Sequence, residues 1–247
     1  VQHFRQDFLE NAPFKFNLDT TVAEVRHAYQ IIEDYRARVK EIKAEATKYN
    51  DLENLFELER TKYKSLNDCS SDLDKLEIMW EMIEKILTTY DKWKRILWKN
   101  IKVDELSPEN EKFVQMLKQA PREVKNFKSY AFIVEKVGNM KKTLNCIDML
   151  SSEAMQDRHW NAISNELSQT IDYKSSAFCF DDILKLDVFK YEAIIQETTE
   201  NANKELKIGK DLDKINSVWS KLTFEFEVFN QAGGELKIFR PFDTIQE

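Results

Sequence analysis

Residues 66–101 read LNDCSSDLDKLEIMWEMIEKILTTYDKWKRILWKNI. Taken in alternating steps of three and four, they give Leu66, Cys69, Leu73, Leu76, Trp80, Ile83, Leu87, Tyr90, Lys94, Leu97 and Ile101, ten apolar positions out of eleven with only Lys94 charged. That spacing draws one stripe along a helix and rotates slowly with a 3.5-residue period, which predicts a long helix packed lengthwise on another. The acids Asp72, Asp74, Glu77, Glu81 and Glu84 precede the bases Lys92, Lys94, Arg95, Lys99 and Lys102. A helix macrodipole favours that order if the helix starts near Ser70 or Ser71.

Working outward, Val25, Ala28, Ile32, Tyr35, Val39, Ile42, Ala46 and Tyr49 form a second seam, again of coiled-coil type. It loses phase near Asn50 and Asp51, where Asn50 with Glu53 three residues on predicts a cap and a bend. Before it, Phe4, Phe8, Phe14 and Phe16 surround Pro13. Rings that need burial beside a helix breaker predict an extended or short helical lead-in that docks on the helical chain after it.

C-terminal to the central stripe, Ser107–Pro108 reads as an N-cap with Pro at the first helical position, opening a helix with Phe113, Met116 and Leu117. Pro121 kinks that helix or starts another. Tyr130, Ile133, Val137, Met140, Leu144 and Ile147 predict a helix ending near Leu150, interrupted only by Gly138. Ser151 or Ser152 is the expected cap of a short helix with Met155, His159, Trp160 and Ile163, and 172–182 reads as loop. Val188, Tyr191, Ile195, Thr198 and Ala202, then Leu212, Ile215, Trp219 and Leu222 after a slip at Gly209, predict a last long helix. Phe224, Phe226 and Val228 alternate with Glu225 and Glu227. Beyond Gly233 and Gly234, Leu236 and Ile238 alternate with Glu235 and Lys237, so a β-hairpin is expected.

Composition agrees. The 247 residues include four Gly and four Pro, against about seventeen and twelve at average usage. From Asn17 to Ser107 there is neither, which no ordinary all-β or doubly wound fold tolerates. The expected fold is mainly α: an elongated rod of consecutive long-helix bundles with a small C-terminal β-hairpin. Segments 1–50 (lead-in and first long helix), 51–150 (helical bundle), 151–222 (further helical subdomain) and 223–247 (hairpin) divide it.

The net charge of −7 disfavours nucleic acid, because phosphate neutralisation wants a clustered basic excess. Lys92, Trp93, Lys94, Arg95, Trp98 and Lys99 resemble a stacking platform, yet helical spacing puts the two Trp on different faces. Membrane binding is likewise not expected. Three isolated cysteines (Cys69, Cys146, Cys179), no glycosylation sequon and no signal or transmembrane run suit a reducing, intracellular setting. The chain opens at Val1 rather than Met, as a piece of something larger would.

Catalytic motifs are weak. Gly209–Lys210 is followed by Asp211 and has Lys204 where a P-loop needs its first glycine. His3, His27 and His159 are isolated from each other and from the cysteines, so no zinc set is readable. Cys69 and Cys146 read as packed small hydrophobes, Asp181–Asp182 and Asp72/Asp74 as caps or solvated faces, and His159 as a packed or hydrogen-bonded interface residue. The residues describe a mechanical or interaction element with no cofactor expected in it. A catalytic site assembled in space would need Cys179 and His159 within hydrogen-bond reach. A spectrin-like or coiled-coil scaffold is the other alternative.

Leu52–Leu58 (LENLFEL), then Trp80, Trp93 and Trp98, resemble the stretch before and at the start of the linker of dynein heavy chains. Arg158-His159-Trp160, Phe180–Leu186, Lys204–Ile208 and Trp219–Phe226 look like that family's successive linker motifs, in order and at similar spacing. The likeness is closer to the axonemal than the cytoplasmic branch, on Asn54–Leu58 and Arg158–Trp160. Asp181–Asp182 departs from it, since the family more often has Gly at the first position, and this bears on the local turn there. The resemblance implies a noncatalytic tail-to-linker segment of a ciliary motor, located in the axoneme and cytoskeleton. ATP hydrolysis would lie in an AAA+ ring beginning well beyond Pro241 and Phe242. It further implies partners in that ring and in other heavy, intermediate or light chains, and mechanical anchors at Trp80, Trp93, Trp98, Arg158, His159, Trp160 and Trp219.

Overall fold

The computed structural model describes residues 1–14, 21–221, 226–231 and 234–239. The expectations at Phe16, Leu222, Phe224, Glu225, Gly233, Pro241 and Phe242 lie outside the described residues. Nine helices occur among the described residues: α1 (Gln2–Asn11), α2 (Val22–Leu55), α3 (Lys64–Lys94), α4 (Val103–Gln119), α5 (Arg122–Lys125), α6 (Lys128–Leu150), α7 (Asp157–Leu167), α8 (Phe180–Lys185) and α9 (Glu192–Trp219). Short 3-10 turns sit at Trp98–Asn100 and Val188–Tyr191. An antiparallel hairpin follows, β1 (Phe226–Gln231) with β2 (Gly234–Phe239), Phe226 opposite Phe239. The fold is mainly α, with the expected hairpin.

Long amphipathic helices make the shape. At 1.5 Å per residue, the 34 residues of α2 span about 51 Å and the 31 of α3 about 46 Å. The accessible surface is 17048 Å², against about 11,500 Å² for a compact monomer of 29.3 kDa.

α2 starts where Thr21 caps it, with the Thr21 backbone N–H donating to Glu24 Oε2 at 2.6 Å. It packs along α3 through the predicted seam, with Val25, Ala28, Ile32, Tyr35, Val39 and Ala46 buried against Leu66, Cys69, Leu73, Leu76, Trp80, Ile83, Leu87 and Tyr90. The lead-in docks as expected, as a helix. Phe4 and Phe8 are buried, Phe8 meets Tyr35 edge-on at 5.2 Å, Arg5 pairs with Asp72 at 2.7 Å, and Trp80 Nε1 donates to the Pro13 carbonyl at 2.8 Å. Each buried Phe contributes about 1.5–3 kcal/mol to holding that short helix, which could not persist alone.

Several boundaries differ from the sequence reading. There is no bend at Asn50: α2 runs on to Leu55, and Glu53 instead receives the Thr61 backbone N–H at 2.8 Å and hydroxyl at 2.6 Å from the turn beyond. α3 starts at Lys64, earlier than Ser70, and stops at Lys94, so Leu97 and Ile101 fall outside the helix. Ser107–Pro108 is not a helix start. α4 begins at Val103 with Pro108 inside it, because buried Leu106 anchors an extra first turn. Pro108 leaves the Asp104 carbonyl without its helical donor, and exposed Asp104 can bond water instead. Pro121 does start a new helix, α5.

Ser151 and Ser152 do not cap α7. The Ser151 hydroxyl donates back to the Ile147 carbonyl at 2.7 Å, and the Ser152 hydroxyl donates to Asn203 at 3.0 Å. Gln156 holds the cap position. The 172–182 loop gives way at Phe180 to α8, and α9 passes through Gly209 unbroken. α4 packs on α6, and α6 and α7 on α9, so that one cluster of buried residues runs from Phe4 to Ile195.

Candidate functional site

The end of α3 is where four elements converge. Trp93 is buried on Tyr90 (centroids 5.2 Å apart) and on Phe180 of α8 (6.2 Å). Past the helix end the chain extends, and Leu97 forms a β-bridge with Cys179. The Trp98 N–H donates to the Phe178 carbonyl and the Phe180 N–H to the Ile96 carbonyl, both at 2.9 Å. This splice ties the 171–179 loop to α3 through backbone bonds.

On that splice sits a stack of rings. Trp98 meets Phe178 at 5.8 Å and Trp160 at 5.7 Å, both edge-on, and Trp160 lies flat on Tyr173 at 4.4 Å with planes 10° apart. Trp160 is 3% exposed. Tyr173 donates its hydroxyl proton to Asp157, which also pairs with Lys174 at 2.5 Å. These bonds hold the Asp157 carboxyl below its ordinary value, Lys174 contributing most.

Arg158 and His159 turn the other way, toward α9. Arg158 pairs with Glu205 at 2.5 Å, and His159 Nε2 reaches the same Glu205 oxygen at 3.1 Å. The Gln156 backbone N–H donates to His159 Nδ1 at 3.1 Å. Nδ1 is therefore an acceptor, and the Nε2 edge of the ring faces Glu205 with Arg158 Nε 3.4 Å away. One short helix thus presents an aromatic face to α3 and a polar edge to α9, and can hold the two in fixed relation.

The structure brings Trp93, Trp98, Arg158, His159 and Trp160 into this joint. Trp80 lies apart, against the lead-in, and Trp219 is 51% exposed at the end of α9. Tyr173, Phe178 and Glu205 belong to the joint as well, although sequence reasoning did not single them out. The clustering of Tyr173, Phe178 and Phe180 in an aperiodic stretch was the available signal. Asn110, 1% exposed, also went unnoticed. Its Oδ1 accepts from the Tyr90 hydroxyl at 2.5 Å and its Nδ2 donates to the Val137 carbonyl at 3.4 Å, linking α3, α4 and α6.

His159 is engaged by Gln156 and Glu205, whereas Cys179 Sγ lies 3.3 Å from Asp182 Oδ2. Buried Cys146 points at the Val188 carbonyl, and burial pushes its thiol up to about 12. Trp93 is buried, and half-buried Trp98 is engaged edge-on by Trp160 and Phe178. Among the described residues no group of three or more His, Cys, Asp or Glu gathers to hold a metal, and no helix is long and apolar enough to cross a membrane.

Residues 66–247 match the family model described as dynein heavy chain, N-terminal region 2. The chain is 28% identical over 240 residues to the flagellar outer arm dynein beta chain of Chlamydomonas reinhardtii. It is 26% identical over 235 residues to the ciliary dynein beta chain of Heliocidaris crassispina, and 27% over 233 to dynein axonemal heavy chain 17 of Mus musculus. Each alignment covers 94% of this chain and 5% of the relative.

Proposed function

The chain belongs to the dynein heavy chain N-terminal region 2 family, and we propose that it is a noncatalytic segment of a ciliary dynein heavy chain that carries force between the tail and an ATP-driven AAA+ ring elsewhere in the polypeptide. The segment itself takes no cofactor. It works in the axoneme, beside microtubules, with that ring and other dynein heavy, intermediate or light chains as partners, and neither nucleic acid nor membrane as ligand. The flagellar, ciliary and axonemal names of its relatives support the location.

The observation that carries the mechanical reading is the single apolar core from Phe4 to Ile195, crossed by the joint at Trp98, Trp160 and Tyr173. Close-packed interiors transmit strain because their side chains have few alternative arrangements. A segment built this way moves as a block, and bending is left to places where packing is thin. The test is microtubule gliding by a complete heavy chain carrying Trp160→Ala. Gliding slows while nucleotide affinity is unchanged; unaltered gliding speed contradicts force transmission through this joint.

A further inference from the structure

α9 is held by the rest of the chain over its first half alone. Its buried residues are Ile195, Thr199 and Ala202. Asn203 meets Ser152 at 3.0 Å, Glu205 meets Arg158 and His159, and Lys210 meets Glu153 at 3.2 Å. From Lys210 to Trp219 every residue is exposed. Beyond Lys210, Lys214 pairs with Asp211 inside the helix, and among the described residues no side-chain bond from Asp211–Trp219 reaches another element.

Gly209 stands where that hold ends. Nothing lies within 4 Å of the point where its Cβ would be, so no neighbour requires a glycine there. In a helix interior glycine favours the helix about fivefold less than alanine, because it has the most backbone freedom to lose. Gly138 shows how packing cancels the same weakness. It too is exposed with open space around it, but Ile133 and Val137 before it and Met140 and Leu144 after it are buried, so α6 is clamped on both sides. On α9 the clamp lies on one side only. Lys210 and Glu153 add little to it, since their side chains are 61% and 80% exposed and such an ion pair is weak and screened by salt.

We propose that Gly209 is a pivot on which the end of α9, Lys210–Trp219, swings as a helical arm about 15 Å long against the packed body. The arm lacks the buried contacts that fix the other half, and the glycine lowers the resistance of the backbone where the two halves meet. The pivot is a property of this helix whether or not the segment carries force, and its test needs no motor.

Spin labels at Glu166→Cys and Ser217→Cys, in a Cys179→Ser background of the 247-residue chain, read the position of the arm by double electron–electron resonance. Glu166 borders Glu197 and Asn201 on the anchored half, and Ser217 is exposed on the arm. The parent gives a broad distance distribution. Gly209→Ala narrows it, the population outside the main peak falling about fivefold. Gly138→Ala, the same change in a helix clamped on both sides, leaves the width of the parent. Hydrogen exchange separates a swinging helix from a melted one, with amides 213–219 exchanging more slowly than in an unfolded chain. A width that Gly209→Ala leaves unchanged overturns the proposal. So does equal narrowing by Gly138→Ala, or exchange of those amides at the unfolded rate.

Discussion

Trp160 stands edge-on to Trp98, ring centroids 5.7 Å apart and planes at 85°, while its opposite contact lies flat on Tyr173. One indole therefore touches both the end of α3 and the loop spliced to it. Trp160→Ala removes both contacts and leaves a cavity, at about 3–5 kcal/mol by the usual cost of truncating a core aromatic. Urea unfolding measures this directly, and Trp160→Phe falls between alanine and the parent.

Asn110 is a polar pin in an apolar core. Tyr90→Phe strands the Asn110 carbonyl oxygen, costing about 1–3 kcal/mol. Tyr90→Phe/Asn110→Leu removes both partners and costs less than the sum of the two single variants. A double-mutant cycle in urea reads the coupling, and strict additivity would show that the Tyr90–Asn110 bond contributes nothing.

Thiol labelling separates the cysteines. Cys69 and Cys146 are buried, and burial raises the Cys146 thiol well above its ordinary value. Near neutral pH both stay unlabelled until the chain unfolds, whereas half-buried Cys179 labels in the native state. Fast labelling of Cys146 in native protein would mean that the core around Val188 opens.

Acid acts through carboxylates held below their ordinary value. The Cys179 backbone N–H, donating at 3.0 Å, is the main cause for Asp182, which caps α8 beside the splice. A depressed folded value means its stabilisation is present above the ordinary value of 3.8 and is lost as pH falls through the lower folded one. Stability is thus insensitive to Asp182 titration at neutral pH and drops in the acid range below about 4. Asp182→Asn weakens the chain at pH 7 and flattens that acid drop. A variant as acid-sensitive as the parent would assign the drop to other carboxylates.

The helices were legible because periodicity reports burial: α2 buries one stripe, and α3 buries its predicted stripe with Met79, Met82, Ile86 and Trp93 on a second line beside it. The misread boundaries share a cause. At Asn50 the stripe changes face while the backbone hydrogen bonds continue, and periodicity cannot separate a turned face from a broken helix; at Gly209 the slip falls inside one predicted long helix, and α9 runs through it. Gly209 has open space where a Cβ would stand, so no close approach requires it. Pro108 misled because its cost falls on the exposed Asp104 carbonyl, which water can satisfy. The joint was half legible. Arg158, His159 and Trp160 stand together on one helix, but Tyr173, Phe178 and Glu205 join them only through tertiary contacts that no local pattern encodes. Asn110 could have been noticed, since it occupies an apolar position in the series Leu106, Asn110, Phe113, Leu117.

If force passes through this segment, the helices from α1 to the buried half of α9 pull as one body. Optical-tweezers stretching between cysteines introduced at exposed Gln6 and Asn201, in a Cys179→Ser background, tests it most directly. The expected trace is a single all-or-none rupture, with Trp160→Ala lowering the force and splitting off α7–α9 as a separate, earlier step. Early peeling of α7–α9 in the parent chain itself, at a force that Trp160→Ala does not change, would contradict it.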